Sequence, residues 1–313
     1  MTTTTKLVLR SRRTQTAAAL GLLTVAAIWG STFVVVKTAT SAFPVLAFLT
    51  VRFGIASLAL LPLAVGRGAL TRREVAWGVG AGILFAGGYV FQTFALRLSD
   101  SGRVGFITGL YVILVPLLAL LIHRYPLTRP IFFSGILALL GMAILGYTPG
   151  SNLLGDGLAL ACALSFAGQI LVVERFPVGV IDTRRNAFFQ ALTVTLVASG
   201  LMLALVGGNS CAEGLFCDLI RPFAEPFPTH LPLDVLAVAA YTGVLATALA
   251  LGVQVWAQKY LPPSEAAIIF AMEAPFAAIF GILFLRERIT LPAVIGCALI
   301  FAAMIVATAK KRA

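Results

Sequence analysis

The sequence predicts an all-α polytopic membrane protein, ten transmembrane helices arranged as two inverted five-helix repeats. Three observations predict it. Hydrophobic residues make up 60% of the 313-residue chain and charged residues 11%, far from the balance of a soluble domain. Ten apolar stretches run close to the ~20 residues that a helix rising ~1.5 Å per residue needs to cross a ~30 Å hydrocarbon core. Shifting the chain by 162 residues lays Phe91–Leu145 on Val253–Ala307 without a gap, so that five spans echo the other five.

Residues 1–16, Thr-rich and basic, are expected to form a disordered cytoplasmic N-terminus. The first span, Ala17–Val36, follows basic residues as a secretory signal would. It is longer than a usual signal core, and losing it would leave nine spans and break the repeat, so it reads as a retained helix. Val45–Val65 is the second span and carries Arg52 and Pro62. Trp77–Leu96, the third, has small residues at Gly78 and Gly82, a spacing that lets helices approach closely. The fourth is Val104–Ile122, with Pro116 in its middle. Pro130–Tyr147 closes a first repeat over residues 17–147.

The second repeat, 153–308, begins with Leu153–Val173 and Ala187–Val206. A loop, Gly207–Pro232, precedes Leu233–Trp256. Ser264–Leu285 holds Glu273 and Pro275, Leu291–Thr308 ends the repeat, and residues 309–313 form a cytoplasmic C-terminal tail. Each repeat has an odd number of spans, so the second enters the membrane from the opposite side. Inverted repeats of this kind place a solute site near the bilayer midplane and exchange conformations to give alternating access.

The net charge of +11 is a topology signal. With a cytoplasmic N-terminus, the inner segments hold 16 Lys and Arg residues, the outer segments hold 6, and Arg52 lies within a span. That bias follows the positive-inside rule and puts both termini in the cytoplasm. No basic patch interleaved with aromatics points to nucleic acid. Of the four cysteines, Cys162 and Cys297 fall in spans. Cys211 and Cys217 share the outer loop, where they either form a local disulfide or stay free thiols.

Ionisable groups in hydrocarbon cost about 2.5–3.5 kcal/mol at a helix centre, so a retained one calls for a reason. Glu273 is suited to bind a substrate amine or carry a coupling proton, or it is a structural carboxylate. Arg52 reads first as a structural or snorkelling cation. Gln92, Gln169 and Gln254 offer amides that both donate and accept, or serve only as interhelical bonds. Gln92 and Gln254 are repeat mates and are expected to face one cavity. Tyr89 lies one turn before Gln92. Thr108 and Tyr111 share a face of the fourth span, and Tyr111 is the repeat mate of Glu273. Trp29 either walls the cavity or sits at an interface. Pro116 and Pro275 are hinge candidates, or they prop irregular packing.

Several motifs resemble one family. Trp29-Gly30-Ser31-Thr32-Phe33 is similar to the opening motif of EamA-type transporters, members of the drug/metabolite transporter superfamily. Gln92-Thr93-Phe94-Ala95-Leu96 and Gly105-Phe106-Ile107-Thr108-Gly109-Leu110-Tyr111 through Pro116 resemble its third and fourth helices. Met272-Glu273-Ala274-Pro275-Phe276-Ala277 with Arg286-Glu287-Arg288-Ile289-Thr290 is similar to its ninth. Arg52 matches an arginine common in its second helix. Two positions depart: Ala274 stands where the family often has Pro, and His123-Arg124-Tyr125 where it often has an acid. The resemblance implies an exporter or exchanger of small metabolites in a bacterial inner membrane. Amino acids are its commonest assignment, beside sugars, nucleosides and drugs.

Other classes fit less well. There is no Gly-x4-Gly-Lys-Ser/Thr loop for ATP. No His-Glu-x-x-His, paired intramembrane acids or Cys–His pair supports an intramembrane enzyme, and no pore motif supports a channel. No cofactor or metal is expected; the partners are the lipid bilayer, a small-molecule substrate and a coupling proton. The oligomeric state is not legible. Reporter fusions at Ala313 and at Gly150 are expected to report opposite sides of the membrane, and a cytoplasmic signal at Gly150 would break the ten-span topology.

Overall fold

The computed structural model describes residues 12–65, 68–99, 101–146, 152–175, 182–205, 223–285 and 290–309. Cys211, Cys217 and the final tail residues 310–313 lie outside the described residues, as do residues 1–11. The described elements are helical throughout: α1 (Arg12–Ala42), α2 (Val45–Ala64), α3 (Arg72–Leu98), α4 (Ser101–Thr108), α5 (Tyr111–His123), α6 (Arg129–Gly146), α7 (Leu153–Glu174), α8 (Thr183–Leu205), α9 (Leu233–Gly243), a π-helical segment (Val244–Leu249), α10 (Ala250–Ala257), α11 (Pro263–Phe270), α12 (Glu273–Leu285) and α13 (Leu291–Ala309). Among these residues nine segments are long and apolar enough to cross a membrane, and Arg129–Ile144 is a shorter apolar helix. The chain is a multi-pass membrane protein.

Leucines such as Leu58, Leu121, Leu203 and Leu291 stand exposed on the outer faces, while Phe48, Phe53, Phe85, Leu22 and Ile268 are buried between helices. A helix apolar on all sides suits a surround of lipid. Helices α3 and α7 pack together, as do α6 and α13, α2 and α8, and α1 and α12. Two apolar cores result. One joins α2, α3 and α8 around Phe53 and Phe85. The other joins α1, α5, α6, α11 and α13 around Leu22, Met142, Ile268 and Ile300.

Helix ends depart from the sequence-based bounds where polar residues carry the helix past the hydrocarbon. Residues 12–16 belong to α1 rather than to a disordered tail. Continuing the helix satisfies backbone N–H and C=O groups internally at the membrane boundary. Likewise α8 starts at Thr183, ahead of the apolar run.

Two expected single spans are broken. The fourth divides between α4 and α5 at Gly109–Leu110, and the ninth between α11 and α12 at Ala271–Met272, 162 residues later. At each break the backbone tightens to three-residue spacing. Val112 N donates to Gly109 O at 3.0 Å, and Ala274 N donates to Ala271 O at 3.2 Å. The breaks precede the prolines. Pro275 lies in the first turn of α12, where its missing N–H costs little, and Pro116 lies inside α5.

The near end of the bundle, where α1 starts, is tied by a buried ion pair. Arg185 of α8 donates to Glu74 Oε2 of α3 at 3.1 Å, to the carbonyl of Ala64 at the end of α2 and to those of Gly68 and Ala69 in the α2–α3 loop. Glu74 also completes the capping box of α3 with Thr71. Also at this end, Arg124 adopts a left-handed conformation (φ 54°) to cap α5. Tyr125 then donates to Glu174 of α7 at 2.8 Å, so a carboxylate from another helix stands beside the His123-Arg124-Tyr125 run. Between α10 and α11, partial burial lowers the pKa of Lys259, against which Asp182 acts.

At the far end, Arg103 grips Asp156 with bonds of 2.6 and 2.5 Å, joining α4 to α7. Glu225 pairs with Arg97 and accepts from Leu46 N at 3.2 Å, capping α2 from the loop before α9.

Removing one member of the Arg185–Glu74 pair strands a buried charge, which costs about 3–5 kcal/mol. Glu74→Ala is expected to lower thermal stability in detergent by that order. The Glu74→Ala/Arg185→Ala double variant should lose less than the two single losses combined, and additive losses would show that the pair is not coupled.

Candidate functional site

Two close backbone approaches set the site. At Gly30 of α1, an added Cβ would lie 2.6 Å from the Glu273 carbonyl oxygen and 2.8 Å from Ala277 N. Only a residue without a side chain lets α1 lie this close to α12. The contact seats Trp29 against Phe270, with ring centroids 5.2 Å apart. At Gly243 of α9, a Cβ would lie 2.6 Å from the Arg52 carbonyl oxygen, so α9 presses equally close on α2.

Directly after Gly243 the chain widens into the π-helical segment, where Ala250 N reaches back five residues to Leu245 O. π-bulges are rare and frequent at functional sites. Here the bulge presents the Ala246 carbonyl to the Trp29 indole, which donates to it at 2.8 Å. It also presents the Thr247 hydroxyl to Arg52 Nε at 3.1 Å.

Between these contacts lies a cavity with about 670 Å³ of empty space, the open solvent at its mouth included. Its wall includes all eight residues that the sequence marks as substrate contacts: Trp29, Tyr89, Gln92, Thr108, Tyr111, Gln169, Gln254 and Glu273. Tyr111 and Glu273 are the first residues after the two breaks, so each break turns its side chain into the cavity. Arg52, read from sequence among the structural residues, also lines it. Its guanidinium carbon lies 4.7 Å from the ring centroid of Tyr89 and 5.3 Å from that of Phe53. Pro116 and Pro275 are not on the wall.

The apolar wall was not legible from sequence. Phe85, Tyr89 and Phe166 form a chain of edge and tilted contacts with centroids 4.8–6.0 Å apart, and Thr32, Phe33 and Ile170 complete it. Helical spacing is the signal that was available. Thr32 follows Trp29 by three residues, and Phe166 and Phe270 precede Gln169 and Glu273 by three.

Gln254 and Gln92 share the cavity but differ in their bonds. Gln92 has no hydrogen-bond partner among the described residues. Gln254 Nε2 donates to Gln169 Oε1 at 3.0 Å, Gln169 Nε2 to Gln190 Oε1 at 2.8 Å, and Gln190 Nε2 to Asn186 Oδ1 at 2.6 Å. This amide ladder ties α10, α7 and α8 together and leads from the cavity to the near end. Buried atoms of its two end residues lack protein partners, Gln254 Oε1 and Asn186 Nδ2, as do both amide atoms of Gln258 one turn after Gln254. The far part of the wall is made instead by Val36 and Leu96.

Glu273 and Arg52 are the charged groups of the wall. Among the described residues neither has a partner of opposite charge, and they are not paired with each other. Among those residues, too, no group of three or more His, Cys, Asp or Glu could hold a metal ion.

Comparison with known proteins agrees with this architecture. The EamA-like transporter family matches twice, over residues 16–147 and 153–309. An uncharacterized transporter of Archaeoglobus fulgidus is 32% identical over 289 residues, covering 92% of this chain and 84% of that protein. One solved crystal structure superposes with a TM-score of 0.73 over 94% of this chain and 97% of its own, at 18% identity, a likeness of fold.

Gly30→Ala is expected to push α1 from α12, lowering thermal stability by about 1–3 kcal/mol and shifting tryptophan emission as Trp29 leaves Phe270. Gly157→Ala is the control, since a Cβ there meets nothing within 4 Å. Equal effects of the two would remove Gly30 as the close contact.

Proposed function

The chain belongs to the EamA-like transporter family, and from that premise we propose that it is a secondary transporter working by alternating access. It exports or exchanges small polar metabolites, amino acids above all, across the cytoplasmic membrane. The observation that carries this reading is Glu273, an ionisable side chain at the break of a discontinuous helix, facing the cavity with no cation beside it among the described residues. Ionisable groups inside a membrane bundle mark solute or proton paths, and discontinuous helices form the binding sites of many transporters.

The inverted repeat is supported by how the helices pair. The family matches once in each half. Exchanging the halves turns the α3–α7 contact into that of α9–α10 with α1, and that of α4–α5 with α7 into that of α11–α12 with α1. It leaves α2–α8 and α6–α13 as pairs of equivalent helices. Both breaks fall at the same place in the repeat. Cytoplasmic termini are supported by the charge bias of 16 to 6.

The cavity wall reaches Val36 and Leu96 at the far end, while the amide ladder closes the near end. In the proposed orientation this is the state open away from the cytoplasm. The closing contacts suit a gate. Interhelical hydrogen bonds of this kind average about 0.6 kcal/mol in membranes, and the unpartnered amide atoms become wetted when the near end opens. Glu273 binds the substrate amine or carries a coupling proton, in a setting formed by Tyr89, Tyr111 and Cys162.

Counterflow into proteoliposomes against a panel of amino acids tests the function. Glu273→Gln keeps shape and hydrogen bonding but cannot ionise. It is expected to fold and express normally, to lose most transport, and to flatten its pH dependence. Full activity with normal pH dependence in that variant would remove Glu273 from the mechanism.

A further inference from the structure

Arg52 is 2% exposed and sits on the cavity wall. A guanidinium has five N–H donors. Among the described residues their one hydrogen bond goes to the Thr247 hydroxyl, with the Tyr89 side chain alongside, and neither is a carboxylate. Thr247 holds Nε, and the Tyr89 ring covers one face of the group. A buried charge left uncompensated costs several kcal/mol, and Arg keeps its proton whatever its surroundings. The missing negative charge is one that this part of the chain does not supply.

The way Arg52 is held agrees with a binding role. The close approach at Gly243 brings the π-helical segment against α2, and the bulge sets Thr247 where it fixes Nε. A guanidinium fixed at Nε and stacked on one face keeps its terminal fork for a planar two-oxygen acceptor, the geometry of a carboxylate.

We propose that Arg52 is the anion-binding group of the cavity, holding the carboxylate of a zwitterionic substrate whose ammonium faces Glu273. The wall then fixes the substrate class. Its charged groups are one cation and one anion, so a zwitterion gives each of them a partner of opposite charge and leaves the cavity neutral. A phosphorylated solute brings two negative charges and does not. Phe33, Phe85, Phe166 and Phe270 offer apolar surface to the rest of the solute. The substrate is therefore an α-amino acid with a large apolar side chain. This assignment rests on the transport reading above for its context, and a binding measurement separates the two.

The test uses purified full-length protein and radiolabelled L-phenylalanine, read by scintillation proximity, with phenethylamine (no carboxylate) and 3-phenylpropanoate (no ammonium) as competitors. Wild type is expected to bind phenylalanine and to prefer it over both competitors. Arg52→Gln should lose about tenfold of the preference over phenethylamine, and Glu273→Gln should lose the preference over 3-phenylpropanoate instead. If Arg52→Gln does not fold, Arg52→Lys and Thr247→Val carry the test. The first keeps charge without the fork and the second frees Nε, so each should weaken discrimination against phenethylamine severalfold. Wild type that fails to bind phenylalanine, or folded Arg52 variants with unchanged discrimination, overturns the proposal. Selective binding without counterflow would leave the anion site standing and refute transport. Counterflow of phenylalanine and phenethylamine alike would do the reverse.

Discussion

Everything in this fold answers to one constraint: hydrocarbon supplies no hydrogen bonds, so each polar group in the bundle must find its partner in the protein or in an enclosed aqueous space. Continuous helices meet it by themselves. The breaks at Gly109–Leu110 and Ala271–Met272 meet it by tightening their turns, and by lying inside the bundle where the freed groups face other helices or the cavity. The π-helical segment meets it by handing the Ala246 carbonyl to Trp29 and the Thr247 hydroxyl to Arg52. The irregular backbone of this protein therefore gathers around one cavity, and the close approaches at Gly30 and Gly243 hold it there.

The two ends of the bundle solve the same problem with different strengths of contact. The near end pairs a rigid anchor, Arg185 on Glu74 and the α2–α3 loop, with a weak closure, the amide ladder from Gln254 to Asn186. The anchor fixes α8 to α3, while the ladder crosses between α8, α7 and α10. A rocking motion can break the ladder and keep the anchor, which is the division of labour that alternating access needs. At the far end the residues of the described ion pairs, Arg97–Glu225 and Arg103–Asp156, are not part of the cavity wall.

Much of the fold was legible in the sequence because length and apolarity are strong signals in membranes. The spans, the loops and the repeat offset all follow from them. Helix ends were less legible: Arg12–Thr16 and Thr183–Asn186 are polar, and nothing local tells a helix that runs on from a loop. The breaks left no mark, since Gly-Leu and Ala-Met are not helix breakers in themselves. Pro275 signals irregularity, but the chain bends before it. Nor does Val-Leu-Ala-Thr-Ala-Leu announce a π-helix. The polar wall of the cavity was legible one residue at a time, because amides, phenols and a carboxylate stand out against an apolar background. Its phenylalanines were not, for phenylalanine occurs in most of the spans. The partners of the ladder were equally hidden, since Gln169 and Gln254 lie 85 residues apart in sequence. Arg52 shows the limit most clearly. Sequence reveals a buried cation, and only the fold shows that no described carboxylate meets it.

The central claim is that one cavity is exposed to each side of the membrane in turn. Thiol labelling tests it directly, with single cysteines placed at Phe33, a part-exposed residue of the cavity wall on the far half of α1, and at the buried Gln258, in protein whose native cysteines are replaced, reconstituted in sealed vesicles. At rest, impermeant reagent should reach Phe33→Cys from the far side while Gln258→Cys stays protected. During exchange of a transported solute, Gln258→Cys should become reactive from the near side as Phe33→Cys loses reactivity. Simultaneous reactivity of both positions in one state would mean a continuous pore and contradict the account. Permanent protection of Gln258→Cys during exchange would contradict it equally, by placing the path elsewhere.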